Sequence, residues 1–324
     1  MRQPQWIQAG IALGNQFHYR KKNPLQHNLL NLGLFTFLVG SVGFIFWLGD
    51  KITPAVYLPV AGFLLGVIFF ALIILVVHEA SHSMFIITKV REDARGWNRF
   101  FGWLVSIPFG INYTRHWEEG HQIHHLHPME PGDPQVENLL TGRDFIIRNL
   151  KMLLIPGYVF AWNPSRKYKT QRWVSPANIG FWIVVLSLCV WQISWTVAVV
   201  VLIGFQVTGV INQFKGSMEH GGGITDEPNR NLRSRTSLFP FRWLLMPLNI
   251  SIHFEHHLNY CVPWYDLMSY HRALKLIVPP EVQPEIFNTH VWDQLMGRKG
   301  RLPANLRHLL DVEEVVDDGV PEVA

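Results

Sequence analysis

Two copies of the motif H-x-x-H-H carry the side chains of this chain that are best suited to chemistry. Their histidines are His121, His124 and His125 in one copy and His253, His256 and His257 in the other. In a helix, positions i, i+3 and i+4 share one face, so each motif would point three imidazoles into one space. His78 and His82 form a third cluster with i, i+4 spacing. Because neutral imidazole is the commonest protein ligand for transition metals, the three clusters predict a metal site.

The number of clustered histidines indicates two metal ions rather than one. His220, beyond the last long apolar run, brings the set to nine. Zinc takes about four ligands and an octahedral ion about six, so nine histidines exceed the needs of one ion. Two adjacent redox metals can bind and split O₂ to attack an unactivated C–H bond, which redox-inert zinc cannot do. Imidazole suits iron, copper, zinc and nickel alike, so the residues alone leave the metal open.

The composition indicates a membrane protein. Hydrophobic residues make up 48% of the 324 residues and charged residues only 16%, against roughly 25% charged in soluble domains. Cys189 and Cys261 allow at most one disulfide, and Cys189 lies in an apolar run, which favours a buried free thiol and excludes a cysteine-based zinc site. The net charge of +4 is modest. No interleaved basic and aromatic surface is evident, so we expect no nucleic-acid partner.

Four apolar runs must position the histidines, and they predict an all-α integral membrane fold in a single domain over residues 1–324. The expected transmembrane spans are residues 29–49, 55–77, 176–192 and 195–215. The last two come from one apolar run, 179–211, which as a single helix would measure roughly 50 Å against a hydrocarbon core of about 30 Å. We therefore expect a turn near Gln192-Ile193-Ser194. That turn also returns the chain to the side of the earlier histidines, whereas one span would separate the clusters.

The remaining segments are expected to form a cytoplasmic helical cap that carries the histidines. The cap would comprise residues 83–175 and 216–310, followed by an acidic tail over 312–324. Within it, Trp97–Ile111 and Phe145–Trp162 are apolar but short, which favours helices lying in the membrane interface.

Lysine and arginine are concentrated on the histidine side of the expected membrane. These residues are Arg20, Lys21, Lys22, Lys89, Arg91, Arg95, Arg99, Arg166, Lys167, Lys169, Arg172 and Lys215. The opposite side carries only Lys51. By the positive-inside rule, the histidines and both termini are expected to face the cytoplasm.

The ordered histidine clusters resemble those of the membrane fatty-acid desaturase superfamily. The resemblance rests on H-x-x-x-H at the end of the second span, two H-x-x-H-H boxes and a lone histidine after the fourth span. Asp133-Pro134 after the second box and the segment NISIHFEHHLNYCVPWYDL around the third also match. The resemblance covers about residues 55–275. Two positions depart from the pattern: Gly216 stands where some members have Asn, and Asn259-Tyr260-Cys261 replaces the usual Phe-Pro or Tyr-Pro.

The resemblance implies a non-haem di-iron centre, O₂ as oxidant and two electrons from an external donor of the ferredoxin or cytochrome b5 type. Matched position by position, its ligands would be His78, His82, His121, His124, His125, His220, His253, His256 and His257. Desaturation of a long acyl chain in a membrane lipid or other acyl substrate is the leading function, with an apolar tunnel presenting the chain. Hydroxylation or ketolation of a carotenoid, alkane or other lipid is the alternative, because both reactions begin with the same C–H abstraction. The sequence does not identify the substrate-binding residues.

A more distant alternative is a zinc intramembrane protease, since His78-Glu79-x-x-His82 also satisfies H-E-x-x-H. That hypothesis needs one zinc with Glu79 as general base, and it leaves seven clustered histidines unexplained. We therefore expect Glu79, Glu219, Glu255 and Asp133 to orient imidazoles instead.

The histidines outside the matched set are expected to be mostly ordinary. His116 and His127 flank the second box off its helical face, so a solvated or hydrogen-bonded histidine is favoured at each over a metal ligand or a group that supports one. The others expected to be ordinary are His18, His27, His271, His290 and His308.

Overall fold

The computed structural model describes residues 4–136, 139–161, 174–298, 303–306 and 309. Its α-helices are α1 (Gln5–Gly14), α2 (Pro24–Trp47), α3 (Pro54–Leu72), α4 (Glu79–Ser81), α5 (Arg91–Ser106), α6 (Gly120–Leu126), α7 (Gly142–Leu154), α8 (Tyr158–Ala161), α9 (Val174–Gln192), α10 (Thr196–His220), α11 (Arg242–Leu245), α12 (His253–Leu258), α13 (Leu267–Leu274), α14 (Gln283–Ile286) and α15 (Val291–Leu295). Two π-helical segments cover Ile73–His78 and Tyr113–Glu119. Short 3₁₀ turns lie at Tyr19–Lys21, Leu48–Asp50, Ile107–Phe109, Gly222–Asp226, Arg230–Leu232 and Ala304–Leu306. The strands β1 (Thr236–Ser237) and β2 (Phe287–Asn288) pair in parallel, with Thr236 opposite Phe287.

Four helices of the described chain are long and apolar enough to cross a membrane, as the sequence predicted. They run over Pro24–Asp50, Pro54–Ser81, Val174–Gln192 and Thr196–His220. The second is continuous from α3 through the π-helical segment into α4. The chain turns between Gln192 and Thr196, which confirms the expected division of the long apolar run.

The second and fourth of these helices form the inner pair of the bundle. In their most apolar stretches, 67% and 50% of the residues are buried within the protein, against 22% and 6% for the first and third. The inner helices approach closely at glycines, because a Cβ on Gly62 would lie 2.4 Å from Ile203, and one on Gly66 would lie 2.5 Å from Val207. Small residues allow this kind of backbone approach in membranes. The pair brings His78 and His220, near their C-terminal ends, to the same level.

The cap and the N-terminal helix α1 form an apolar core around the third histidine box. Helices α1, α12 and α13 meet there, and the buried members include Ile7, Phe254, Tyr270 and Leu274. This core holds α12 from the side opposite the histidines.

Two amphipathic helices, α5 and α7, overlap the short apolar segments expected to lie in the interface. They have 16 and 13 residues, too few to cross a bilayer. Helix α5 exposes Trp97, Phe100 and Leu104 along one face, and α7 exposes Ile146, Leu150 and Leu154, among others. Residues 155–157 separate α7 from α8, so the expected Phe145–Trp162 segment is two helices over its described part.

The expected free thiol at Cys189 is confirmed, whereas its expected burial is wrong, and several other expectations concern residues outside the described ranges. Cys189 and Cys261 are both free, but Cys189 is only half-buried because α9 is an outer helix. Of the residues named in the sequence analysis, those outside the described ranges include Trp162, Arg166, Lys167, Lys169, Arg172, His308 and the acidic segment 312–324.

Candidate metal centre

Each histidine cluster lies at the end or beginning of a helix. His78 ends the π-helical segment that continues α3, and His220 is the last residue of α10. The second box lies on α6, directly after the other π-helical segment, and the third box begins α12. A π-helical turn contains an additional residue and changes the direction of the side chains that follow, and such turns are frequent at functional sites.

The structure brings all nine predicted ligands together and divides them into two groups. The five-histidine group contains His78, His82, His121, His125 and His256, and the four-histidine group contains His124, His220, His253 and His257. Within each group, one ligand nitrogen from every residue lies within 4.8 Å of all the others. Both groups are able to hold a metal ion.

Helix geometry explains how each H-x-x-H-H box serves both groups. At about 3.6 residues per turn, positions i and i+4 differ by about 40° around the helix axis, whereas i+3 lies about 60° to the other side of i. His121 and His125 therefore face one group while His124 faces the other. The third box mirrors this arrangement, since His253 and His257 join His124. The two boxes exchange their i+3 histidines.

Close contacts between ring nitrogens mark the centre of each group. The Nε2 atoms of His78 and His256 are 3.1 Å apart, and those of His82 and His121 are also 3.1 Å apart. In the other group, His253 Nε2 lies 2.8 Å from that of His220 and 3.0 Å from that of His257.

In the four-histidine group, hydrogen bonds to Nδ1 assign the tautomers of two rings, His220 and His124. His220 Nδ1 lies 2.7 Å from the carbonyl oxygen of Arg233, and His124 Nδ1 lies 2.8 Å from Asp133 Oδ2. Carbonyl and carboxylate oxygens only accept, so both Nδ1 atoms must donate, which leaves Nε2 of each neutral ring with a lone pair.

The environment of these lone pairs indicates whether the four-histidine group suits a bound metal ion. His124 Nε2 is buried and has no hydrogen-bond partner among the described residues. Converging lone pairs repel one another unless a cation lies between them, and an orphaned buried acceptor is costly. The donor set therefore fits a bound metal ion.

Burial also favours the neutral form, which metals require, in four imidazoles of the five-histidine group. Desolvation, followed by the charge of nearby histidines, lowers the pKa of His82 to about 3 and those of His121, His125 and His256 well below the usual value. Burial of Asp133 by itself would raise its pKa, but hydrogen bonds from His124 and from the backbone amides of Gln135 and Met129 lower it. Asp133 therefore stays an anion beside its imidazole.

Three of the four acidic residues expected to orient imidazoles lie beside a ligand. In addition to Asp133, Glu79 Oε1 lies 3.3 Å from His78 Nδ1, and Glu219 Oε1 lies 3.3 Å from His253 Nδ1. The Glu219 carboxylate also accepts from Lys215 Nζ at 2.6 Å. Glu79 is thus on the outer side of its ring, a position that does not favour the general base of a zinc protease.

The expectation for Glu255 is corrected by its contacts. Although it lies between two ligands in sequence, its carboxylate turns away from both and contacts His271 Nδ1 at 2.5 Å and the hydroxyl of Thr236. One helix cannot point adjacent side chains to the same side, so Glu255 faces the cap core while His256 faces the metal groups.

The structure also shows the surroundings of histidines outside the nine predicted ligands. His127 is exposed and paired with Glu130, and His116 is outside both groups, where burial lowers its pKa to about 4. His27 is buried, and its ring contacts the Tyr265 hydroxyl at 2.7 Å and the Met84 carbonyl at 2.6 Å. It therefore ties the first transmembrane helix to the segments after the first and third boxes, a role that no sequence motif signalled.

A cleft of about 670 Å³ opens onto the five-histidine group. It reaches His82, His121 and His125, and most of its other lining side chains are polar or charged, including Glu92, Arg95, Asn98, Arg99, Glu118 and Glu119. Tyr260 lines the same cleft and was not singled out as a site residue by sequence.

Comparison with known protein families agrees with this geometry. The family model for fatty acid desaturases matches residues 52–288, more than half of the chain and all nine clustered histidines. Curated proteins searched by sequence gave no match. With its four apolar helices, the chain is an integral membrane protein, and its family is one of oxidoreductases. The chain belongs to the fatty acid desaturase family.

Proposed function

We propose that this chain catalyses the O₂-dependent desaturation of a long-chain acyl group at a non-haem di-iron centre. The observation that carries the proposal is the pair of adjacent histidine groups, with five and four imidazoles, in a chain of the desaturase family. When bound, two iron ions would supply O₂ activation and hydrogen abstraction.

The proposed reaction balances with an external electron donor. One hydrogen atom leaves each of two adjacent acyl carbons, and a C=C bond forms between them. The substrate gives two electrons and two protons, a one-electron carrier protein of the ferredoxin or cytochrome b5 type gives two electrons in turn, and solvent gives two protons. Together they reduce one O₂ to two water molecules.

The protein's own contribution is to hold the ligand rings rigidly. Asp133 fixes the His124 ring, and the Arg233 carbonyl fixes the His220 ring. Partners on the far nitrogen set the tautomer and raise the basicity of a ligand imidazole. The Lys215 ammonium balances the Glu219 carboxylate beside His253, so this buried side of the centre holds a paired charge.

We propose that the acyl chain reaches the centre from the membrane and not through the polar cleft. The charged lining of that cleft is unsuited to methylene groups, whereas α5 and α7 present exposed apolar faces next to the bundle. We further propose that the histidines and both termini face the cytoplasm, because four spans return the chain to its starting side and the basic residues concentrate there.

Metal content and lipid products test the function. The detergent-purified protein should contain about two irons per chain, and a host expressing it should accumulate a lipid with one more double bond, detected by mass spectrometry. His256→Ala should abolish the product. A hydroxylated or oxo lipid instead would assign the alternative reaction, and a single zinc that survives His256→Ala would refute the di-iron proposal.

A further inference from the structure

Tyr260 forms a bridge of aromatic contact between solvent and the five-histidine group. Its ring stacks on His82 with a centroid separation of 5.2 Å and an interplanar angle of 26°. It also packs on His125, with centroids 5.1 Å apart. The side chain is 39% exposed and lines the cleft, whose wall the two partly buried imidazoles also line.

From these contacts we propose that Tyr260 is the point at which electrons enter the metal centre from the donor protein. This inference rests on the proposed function, which requires two electrons from outside. Electron tunnelling slows steeply with distance and is faster through packed atoms than through open space. A carrier docked over the cleft would bring its redox group to the exposed Tyr260 ring, which contacts two ligand imidazoles directly.

The asymmetry between the two groups supports this assignment. In the four-histidine group, three of the four residues are buried, and the lining of the cleft includes none of them. Trp117 also contacts ligand rings, with centroids 5.3 Å from His121, but it approaches edge-on at 61° and does not line the cleft. Of these two aromatic neighbours, Tyr260 is the one open to a carrier.

Charge does not by itself identify the carrier. The cleft carries Arg95 and Arg99 together with Glu92, Glu118 and Glu119, and Arg99 pairs with Glu118 at 2.7 Å. Both signs are therefore present, so the proposal depends on the approach of a redox group to Tyr260 and not on electrostatic steering.

Anaerobic stopped-flow reduction of the iron-loaded, detergent-purified protein tests the proposal. Reduced [2Fe–2S] ferredoxin and reduced cytochrome b5 serve as protein donors, and dithionite serves as a small reductant that reaches the site without docking. Tyr260→Leu should slow reduction by the effective protein donor at least tenfold, with unchanged iron content and an unchanged rate with dithionite. Tyr260→Phe, which keeps the ring, should stay within about threefold of the wild type.

Two further variants keep the test decisive. Trp292→Leu removes an exposed aromatic elsewhere and should change nothing. Gln122→Trp narrows the cleft from an exposed position without altering Tyr260, and it should also slow the protein donor. If Tyr260→Leu loses iron, Gln122→Trp decides the question in its place.

The outcomes separate this inference from the proposed function. Wild-type rates in Tyr260→Leu, or in Gln122→Trp where that variant decides, would overturn the electron-entry role while leaving desaturation intact. Failure of both protein donors to reduce the iron-loaded wild type would also overturn it. Absence of iron from the wild type would instead count against the proposed function itself.

Discussion

His124 and His125 are adjacent in the chain, yet their imidazoles belong to different histidine groups. Removing a ligand should therefore affect one group first. His220→Ala would leave three histidines in the smaller group, so we expect loss of about one metal ion per chain. His82→Ala would leave four in the larger group, a number still sufficient for tetrahedral coordination, so it should retain both ions with weaker affinity.

Elemental analysis after dialysis against a graded chelator series measures this difference. His127→Ala is the matched control, because His127 is exposed and lies outside both groups. Equal loss of both ions from His220→Ala and His82→Ala would show that the two groups do not bind independently.

Asp133 should control metal affinity through His124. In Asp133→Asn the side-chain oxygen can still accept from His124 Nδ1, but the negative charge is lost. Changes of this kind cost about 10–100-fold in metal affinity. Asp133→Ala should cost more, because the backbone amides of Met129 and Gln135 also donate to this carboxylate, at 2.7 and 2.8 Å.

Competition with a fluorescent chelator would give the affinities of these variants. Asp93→Asn makes the same chemical change at an exposed position and should leave the metal affinity unaltered. Wild-type affinity in Asp133→Asn would mean that the charge contributes nothing and that orientation alone matters.

Glu255 should matter for stability more than for metal binding. Glu255→Ala would leave the His271 ring and the Thr236 hydroxyl without their buried partner, at about 1–3 kcal/mol for each group. A lower thermal midpoint with near-normal iron content is the expected result, read by differential scanning fluorimetry. The exposed Glu281→Ala is the control. Selective iron loss from a protein of normal thermal stability would contradict this assignment.

The glycine contact between the two inner helices should be sensitive to one methyl group. A Cβ at Gly66 would meet Val207 at 2.5 Å and the Gly204 carbonyl oxygen at 2.9 Å. Gly66→Ala should destabilise the protein by about 1–3 kcal/mol through overpacking. Gly40→Ala, on an outer helix where nothing lies within 4 Å, should leave the thermal midpoint unchanged or slightly higher.

The sequence was most informative where spacing determines geometry. Motif spacing predicted a shared site for the histidine boxes, and the length of the 179–211 run correctly required a turn, because both depend on local helix dimensions. Contacts between distant segments could not be predicted. The Arg233 carbonyl that orients His220 carries no side-chain signal, and the stacking of Tyr260 on His82 depends on the packing of the cap against the bundle. The role of Glu255 was misassigned because its position in sequence between two ligands does not determine the direction of its side chain.

The close pairing of the two inner helices has a consequence for how the protein responds to its lipid environment. A helix that is too long or too short for its bilayer usually adjusts by tilting. Here the helices that end near His78 and His220 are in contact at Gly66 and Val207, so they must tilt as one body. Differences in bilayer thickness would then be absorbed by the lipid-facing outer helices, and the spacing of the ligands would stay constant across membranes of different composition.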